Sequence, residues 1–345
     1  AHPSRRCSTV MVLKEILAEI LEQPLPTPRA RSIAEYLLTG ADDVDRAAIL
    51  MALRARGEAP SEVAGFSMAL RSMATRVNAP GKVLDTAGTG GDGSSTINAS
   101  TAAALVAASL GVLVAKHGNR SISGKSGSAD FMEALGYNIG HGPGTAECML
   151  RRVGFTFLYA PAYHKIMAAV APVRRKLGVR TIFNLAGPLS NPAQPTHQVL
   201  GVASRRLLQV MAEAGSHLGY ERLLVVHGYP GIDEVSITGP TLVAEPGGRR
   251  YTIAPEDLGL EECSIEELVI TGPRESVARA LEAMKGGGRA CDRSFIAANA
   301  GLAVYAYGLA GSPRAGVSMA LDAMESGRAA EYLERVVEAS RECMG

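Results

Sequence analysis

Val83-Leu84-Asp85-Thr86-Ala87-Gly88-Thr89-Gly90-Gly91-Asp92-Gly93-Ser94-Ser95-Thr96-Ile97-Asn98-Ala99-Ser100-Thr101 runs from a short apolar stretch, through a glycine cluster, into a long alanine-rich segment. The order reads as strand, tight loop, helix. Glycines let backbone amides approach anionic oxygens, and the helix N-terminus with its Ser and Thr hydroxyls adds donors, so the layout suits phosphate binding. It matches neither the dinucleotide fingerprint nor the P-loop, because no Lys-Ser or Lys-Thr closes the glycine run. The bland reading is a plain flexible turn, which does not call for so many glycines and hydroxyls at one junction.

Upstream, from Met11 to about Val77, the pattern is helical: Leu13, Ile16, Leu17, Ile20 and Leu21 recur at three- and four-residue steps until Pro24, Pro26 and Pro28 interrupt them. Downstream, β-branched runs alternate with glycine turns and amphipathic helices, as at Val112-Leu113-Val114 and Leu223-Leu224-Val225-Val226. Residues 235 to 253 read as an antiparallel excursion with strands at Val235 to Ile237, Thr241 to Ala244 and Arg250 to Ile253, and helices return from Pro273. The expected fold is α/β: a small all-helical domain plus a larger domain with a mostly parallel central sheet and helices on both sides.

Two further loops follow strands of that sheet. Lys116-His117-Gly118-Asn119-Arg120-Ser121-Ile122-Ser123-Gly124-Lys125-Ser126-Gly127-Ser128-Ala129-Asp130 sets three cations among small residues. Lys116 can meet a phosphate as a point charge, and Ser128 or Asp130 is expected to cap the helix that ends at Gly136. A solvated polar loop is the plain alternative. Beyond Leu223 to His227, Asp233 and Glu234 offer adjacent carboxylates in a surface turn, the hard oxygen ligands that magnesium favours. Ligands of open α/β sheets bind at the carboxyl ends of strands, which links the three loops. A fourth stretch, Pro172 to Leu189, concentrates Arg174, Arg175, Lys176 and Arg180 beside apolar residues, as a carboxylate fork or as a basic helix face.

The chain has 345 residues, is 47% hydrophobic and carries a formal net charge of +1, so it can bury a large core and does not read as a general nucleic-acid or membrane-surface binder. Its longest apolar run, Thr101 to Ala115, is too short to span a bilayer and contains Ser109 and Gly111. Cys7, Cys148, Cys263, Cys291 and Cys343 are far apart and lack the close spacing of zinc or redox motifs, which points to a reducing cytoplasm. Residues 1 to 10 read as a disordered extension.

Together these segments resemble the anthranilate phosphoribosyltransferase family over essentially the whole chain after Met11. The resemblance implies that Gly88, Gly91, Asp92, Thr96, Asn98, Ser100, Thr101, Lys116, Asn119, Ser121 and Ser128 bind 5-phosphoribosyl 1-diphosphate (PRPP). It assigns Gly88, His117, Asn119 and Arg174 to anthranilate, and Ser100, Asp233 and Glu234 to magnesium, with two Mg2+ ions per site. It also implies a helical domain over 11–79 with about 148–196, an α/β domain over 80–147 with about 197–345, and a homodimer through the helical domains. The sequence departs from the commoner family text at Tyr229-Pro230-Gly231 and at Ile97. Pyrimidine nucleoside phosphorylases, and related proteins that bind nucleic acid, are the alternatives.

Overall fold

Seven short strands make one sheet: β1 (Leu84–Gly88), β2 (Val114–Gly118), β3 (Phe155–Tyr159), β4 (His197–Gly201), β5 (Arg222–Gly228), β6 (Thr241–Ala244) and β7 (Arg250–Ile253). The computed structural model describes residues 12–91, 93–120 and 127–343. The sheet order is β3-β2-β1-β4-β5-β6-β7. β1 to β5 pair in parallel, and β6 and β7 add antiparallel at one edge. β5 shows why such runs become central strands: Leu223, Leu224, Val225 and Val226 are all buried, and they divide alternately between two cores on opposite faces of the sheet.

On one face lies the helix Ala99–Ser109, buried almost all round, between the sheet and the helices Ala290–Tyr307 and Arg328–Glu342. The other face is covered by the helix Leu207–Leu218, which packs against Pro60–Met73 of the helical unit. That unit consists of Leu13–Glu22, Thr27–Thr39, Asp43–Arg56 and Pro60–Met73, joined by the later helices Ala171–Leu177 and Ile182–Ala186. At its centre the buried carboxylate of Glu62 pairs with Arg56 and accepts the N–H groups of Leu25 at 2.9 Å and Ala59 at 2.8 Å. These partners offset the cost of burying a charge.

Three expectations change. The return to the helical unit was expected from about residue 148, yet Phe155–Tyr159 pairs with β2 and the helix Pro143–Arg152 packs on it, so the chain leaves the sheet only after Tyr159. Val235 to Ile237 is not a strand, because side chains satisfy its backbone: Asn299 takes both polar groups of Val235, and Thr241 accepts the N–H of Ser236. Finally, the cysteines pair. Cys148–Cys343 and Cys263–Cys291 are disulfides, separated by 195 and 28 residues. Folding brings together what sequence separation keeps apart, and disulfides withdraw the argument for a reducing compartment. Cys7 and the extension 1–10 lie outside the described residues. No helix among the described residues is long and apolar enough to cross a membrane.

Candidate active site at the carboxyl ends of the strands

β1 and β4 are neighbours in the sheet, and the connections leave them toward opposite sides, so a crevice opens beyond their carboxyl ends. Their last residues, Gly88 and Gly201, pair in register. Both are glycine for a reason of space: a Cβ on Gly88 would lie 2.3 Å from Asp233 Oδ2, and one on Gly201 would lie 1.6 Å from the Asp233 carbonyl oxygen. The turn after β5 therefore lays Asp233 directly over the ends of β1 and β4.

From there the acidic pair grips the first loop. Asp233 Oδ2 accepts the N–H of Gly90 at 2.7 Å, and Glu234 Oε1 accepts the N–H of Ser100 in the first turn of Ala99–Ser109 at 3.0 Å. An anionic oxygen thus already sits on a glycine-loop amide, which displays the chemistry the loop offers to a phosphate. Gly90 and Gly91 have φ of +65° and +76°, a left-handed turn that residues with a Cβ rarely adopt. The acids are half-buried rather than set in an exposed surface turn. Asn299, on Ala290–Tyr307, fixes the residue after them: its Oδ1 accepts the Val235 N–H at 2.9 Å, and its Nδ2 donates to the Val235 carbonyl at 3.1 Å. Nothing local in the sequence marks this asparagine.

Lys116 sits beneath the loop rather than in it. Its buried Nζ donates to the Thr86 carbonyl at 2.5 Å and to Thr86 Oγ1 at 3.1 Å, and lies 3.5 Å from Ser100 Oγ. Burial lowers its pKa to about 8, against the opposing pull of Asp85, Glu234 and Asp233. Asp85 is buried too, accepting from the His117 N–H at 3.1 Å and Asn191 Nδ2 at 2.9 Å, and burial raises it to about 6 despite Lys116. Asn98 caps Ala99–Ser109 by accepting the Thr101 N–H at 3.3 Å, while the Thr101 side chain is buried and does not reach the loop surface. Thr96 bridges to Val269 and steadies the loop's exit.

In the second loop Asn119 is exposed, and its carbonyl accepts Ser128 Oγ at 3.2 Å. The cap of the following helix, Ser128–Ala134, is Gly127, with Asp130 reaching back to the Gly127 N–H at 3.1 Å. Ser128 is the first helical residue, not the cap. Asp92 and Ser121 lie outside the described residues. His117 is buried with its ring 5.1 Å from that of His164; burial drives His117 well below the usual histidine range and His164 down to about 4. Arg174 stands apart from its basic neighbours: half-buried, it donates to Asn184 Oδ1 at 3.2 Å and lies over the Phe183 ring, whereas Arg175 and Lys176 are exposed. Burial lowers its pKa, which leaves the guanidinium poorly solvated and receptive to a carboxylate.

The donor set is hard and oxygen-rich. Two carboxylates and a serine hydroxyl around one crevice fit magnesium, which keeps waters and phosphate oxygens in its shell.

Known proteins resemble this chain over both units. A family model described as glycosyl transferase family, a/b domain, matches residues 80–330, and its helical bundle domain counterpart matches residues 12–74. An anthranilate phosphoribosyltransferase of Aeropyrum pernix is 54% identical, covering 94% of this chain and 96% of its own. One of Rubrobacter xylanophilus is 46% identical with the same coverage. Among solved structures, that of anthranilate phosphoribosyltransferase from Thermus thermophilus superposes with a TM-score of 0.90 at 42% identity, covering 95% of this chain and 99% of its own. The enzyme from Saccharomyces cerevisiae, in complex with PRPP and Mg, gives 0.86 at 27% identity over 96% and 98%. With both units matched over nearly their full length, the chain belongs to the anthranilate phosphoribosyltransferase family.

Proposed function

We propose that this protein transfers the 5-phosphoribosyl group from PRPP to the amine of anthranilate, releasing diphosphate, as a step of tryptophan biosynthesis. One observation carries the reading: Asp233 and Glu234 are hydrogen-bonded to the glycine loop and to the helix N-terminus, so a pair of metal-binding acids, the loop and the helix end meet at the β1/β4 crevice. The family identity supports the acceptor, and the half-buried Arg174 matches its carboxylate.

In the reaction a bond forms from the anthranilate nitrogen to ribose C1 as the bond from C1 to the diphosphate oxygen breaks, and its electron pair leaves with diphosphate. Asp233 and Glu234 would hold magnesium, with Ser100 toward a second ion, and metal bound there would add positive charge to that leaving group. The Gly91 amide, the N-terminus of Ala99–Ser109 and the Lys116 charge beneath them stabilise the same developing charge. Arg174 orients the acceptor ring by its carboxylate, with His117 and Asn119 beside its path. An aromatic amine is neutral near pH 7, so no base has to remove a proton before attack; the proton departs once the N–C1 bond has formed.

Three finer points complete the proposal. The helical and α/β units meet at a hinge across which the substrates react. The protein is a homodimer through the helical unit, where the apolar Leu21, Val44 and Met51 are exposed on Leu13–Glu22 and Asp43–Arg56. The reaction belongs in the cytoplasm, because a donor with this charge does not cross a membrane unaided.

Calorimetric titration with PRPP tests the donor site. Binding that strengthens steeply with magnesium supports the reading; equal binding of PRPP with and without magnesium contradicts it.

A further inference from the structure

Gly90 is held at both of its polar groups. Its N–H donates to Asp233, and its carbonyl accepts Arg180 Nη2 at 2.9 Å, while the same guanidinium lies 3.3 Å from the position a Cβ on Gly91 would take. A peptide unit is planar and trans, so its C=O and N–H point opposite ways. The carbonyl of Gly90 and the N–H of Gly91 belong to one such unit. Arg180, by fixing that carbonyl, turns the Gly91 N–H to the opposite side as a donor, and a charged partner on the oxygen strengthens it.

Arg180 belongs to the acceptor side of the crevice. It follows the helix Ala171–Leu177, which carries Arg174, after only Gly178 and Val179. A single amide oxygen ties this strap together: Asn184 Oδ1 accepts Arg174 Nη2 at 3.2 Å and the Thr181 N–H at 3.0 Å. A continuous path of hydrogen bonds and short links of backbone therefore joins Arg174, Asn184, Thr181, Arg180 and Gly90.

We infer that Arg180 is a positioning residue that couples the two substrate subsites, latching the strap that carries the carboxylate-binding Arg174 onto the diphosphate-binding loop. The inference rests on the proposed function above. An anion on the Gly91 amide favours the latched loop, the latched loop places the strap, and the strap places Arg174. Coupling of this kind is reciprocal, so each ligand tightens the other by one common factor. The planar guanidinium fork spans the gap to the Gly90 carbonyl, which a lysine reproduces only in part.

The test uses the full-length protein with magnesium and diphosphate, which binds without turnover, and anthranilate as the second ligand. Diphosphate affinity is measured by calorimetry with and without saturating anthranilate, for the wild type, Arg180→Lys and Arg180→Met, each checked for a cooperative melt. The expected wild-type coupling is about fivefold or more, falling to within about twofold of unity in Arg180→Met and to an intermediate value in Arg180→Lys. An unchanged coupling factor in Arg180→Met overturns the inference. So does a loss of diphosphate affinity with the factor intact, which makes Arg180 a diphosphate-side group only, and so does a wild type with no coupling. If Arg180→Met fails to fold, Arg180→Lys decides by the same factor. A wild type that binds neither ligand defeats the proposed function itself, and is told apart from the other outcomes by the missing binding heat.

Discussion

The carboxylate of Glu234 accepts a hydrogen bond from the backbone N–H of Ser100 at 3.0 Å, although 134 residues separate them. One member of the acidic pair is thereby fixed to a helix N-terminus, and the other, Asp233, is fixed to the glycine loop through Gly90. The pair is built into the sheet's carboxyl edge instead of hanging in solvent.

Asp233→Asn with Glu234→Gln keeps an acceptor oxygen for each of those amides while removing both charges. The fold is expected to survive, with a melting temperature within a few degrees of wild type, and turnover to fall roughly 100-fold or more at saturating magnesium. Near-normal turnover in the double variant removes the acids from the metal site.

Gly201→Ala tests the close approach beneath them. The added Cβ would fall 1.6 Å from a backbone oxygen of Asp233, so the acidic turn has to move. A loss of about 1–3 kcal/mol in denaturant unfolding is expected, together with reduced activity. Wild-type stability and turnover in this variant are incompatible with the packing described.

Arg174→Ala loses a charge-assisted contact worth on the order of 1.5–3 kcal/mol and is expected to raise the anthranilate KM roughly tenfold or more. The PRPP KM should change little. Arg175→Ala and Lys176→Ala, both at exposed positions, are expected to change neither. Equal, small effects in all three reduce Arg174 to a basic-face residue.

Buried histidines set the acid limit of stability. His164 falls from 6.5 to about 4 on folding through burial, so below pH 6.5 the unfolded chain binds the extra proton and stability is lost as pH falls through 4. His117 and His141 shift the same way. Asp85, raised by burial from 3.8 to about 6, works in the opposite sense, its contribution fading as pH rises through 6. For His164 alone the loss between pH 7 and pH 5 is on the order of 2 kcal/mol. Unfolding curves at those two pH values should differ less in His164→Asn, and an equal difference in both proteins contradicts the assignment.

The disulfide between Cys148 and Cys343 ties the helix Pro143–Arg152 to the end of Arg328–Glu342. Reduction is expected to lower stability by about 2–4 kcal/mol more in wild type than in Cys148→Ser with Cys343→Ser, which keeps only Cys263–Cys291 for the reductant to open. A reductant-insensitive wild type refutes the bond's contribution.

Much of this was legible in the sequence, because local chemistry specified it. The glycine loop and the β-branched runs announce strand ends by residue type, and Asp233 and Glu234 stand just beyond β5, as the order of the sequence puts them. The remainder depends on tertiary contacts. Asn299 resembles any helical asparagine until Val235 lies against it, and Arg180 resembles Arg175 until Gly90 is found beside it. The bounds implied by the resemblance put Phe155–Tyr159 with the helical unit, whereas its pairing with β2 holds it in the sheet, and the cysteine pairs require the fold itself.

The most direct measurement mixes the purified protein with anthranilate, PRPP and magnesium and follows the fluorescence of anthranilate, with thymidine and phosphate offered in a parallel reaction. The account predicts that anthranilate fluorescence disappears only when PRPP and magnesium are both present, with diphosphate formed in equal amount, and that thymidine stays intact. Persistent anthranilate alongside phosphorolysis of thymidine would contradict it.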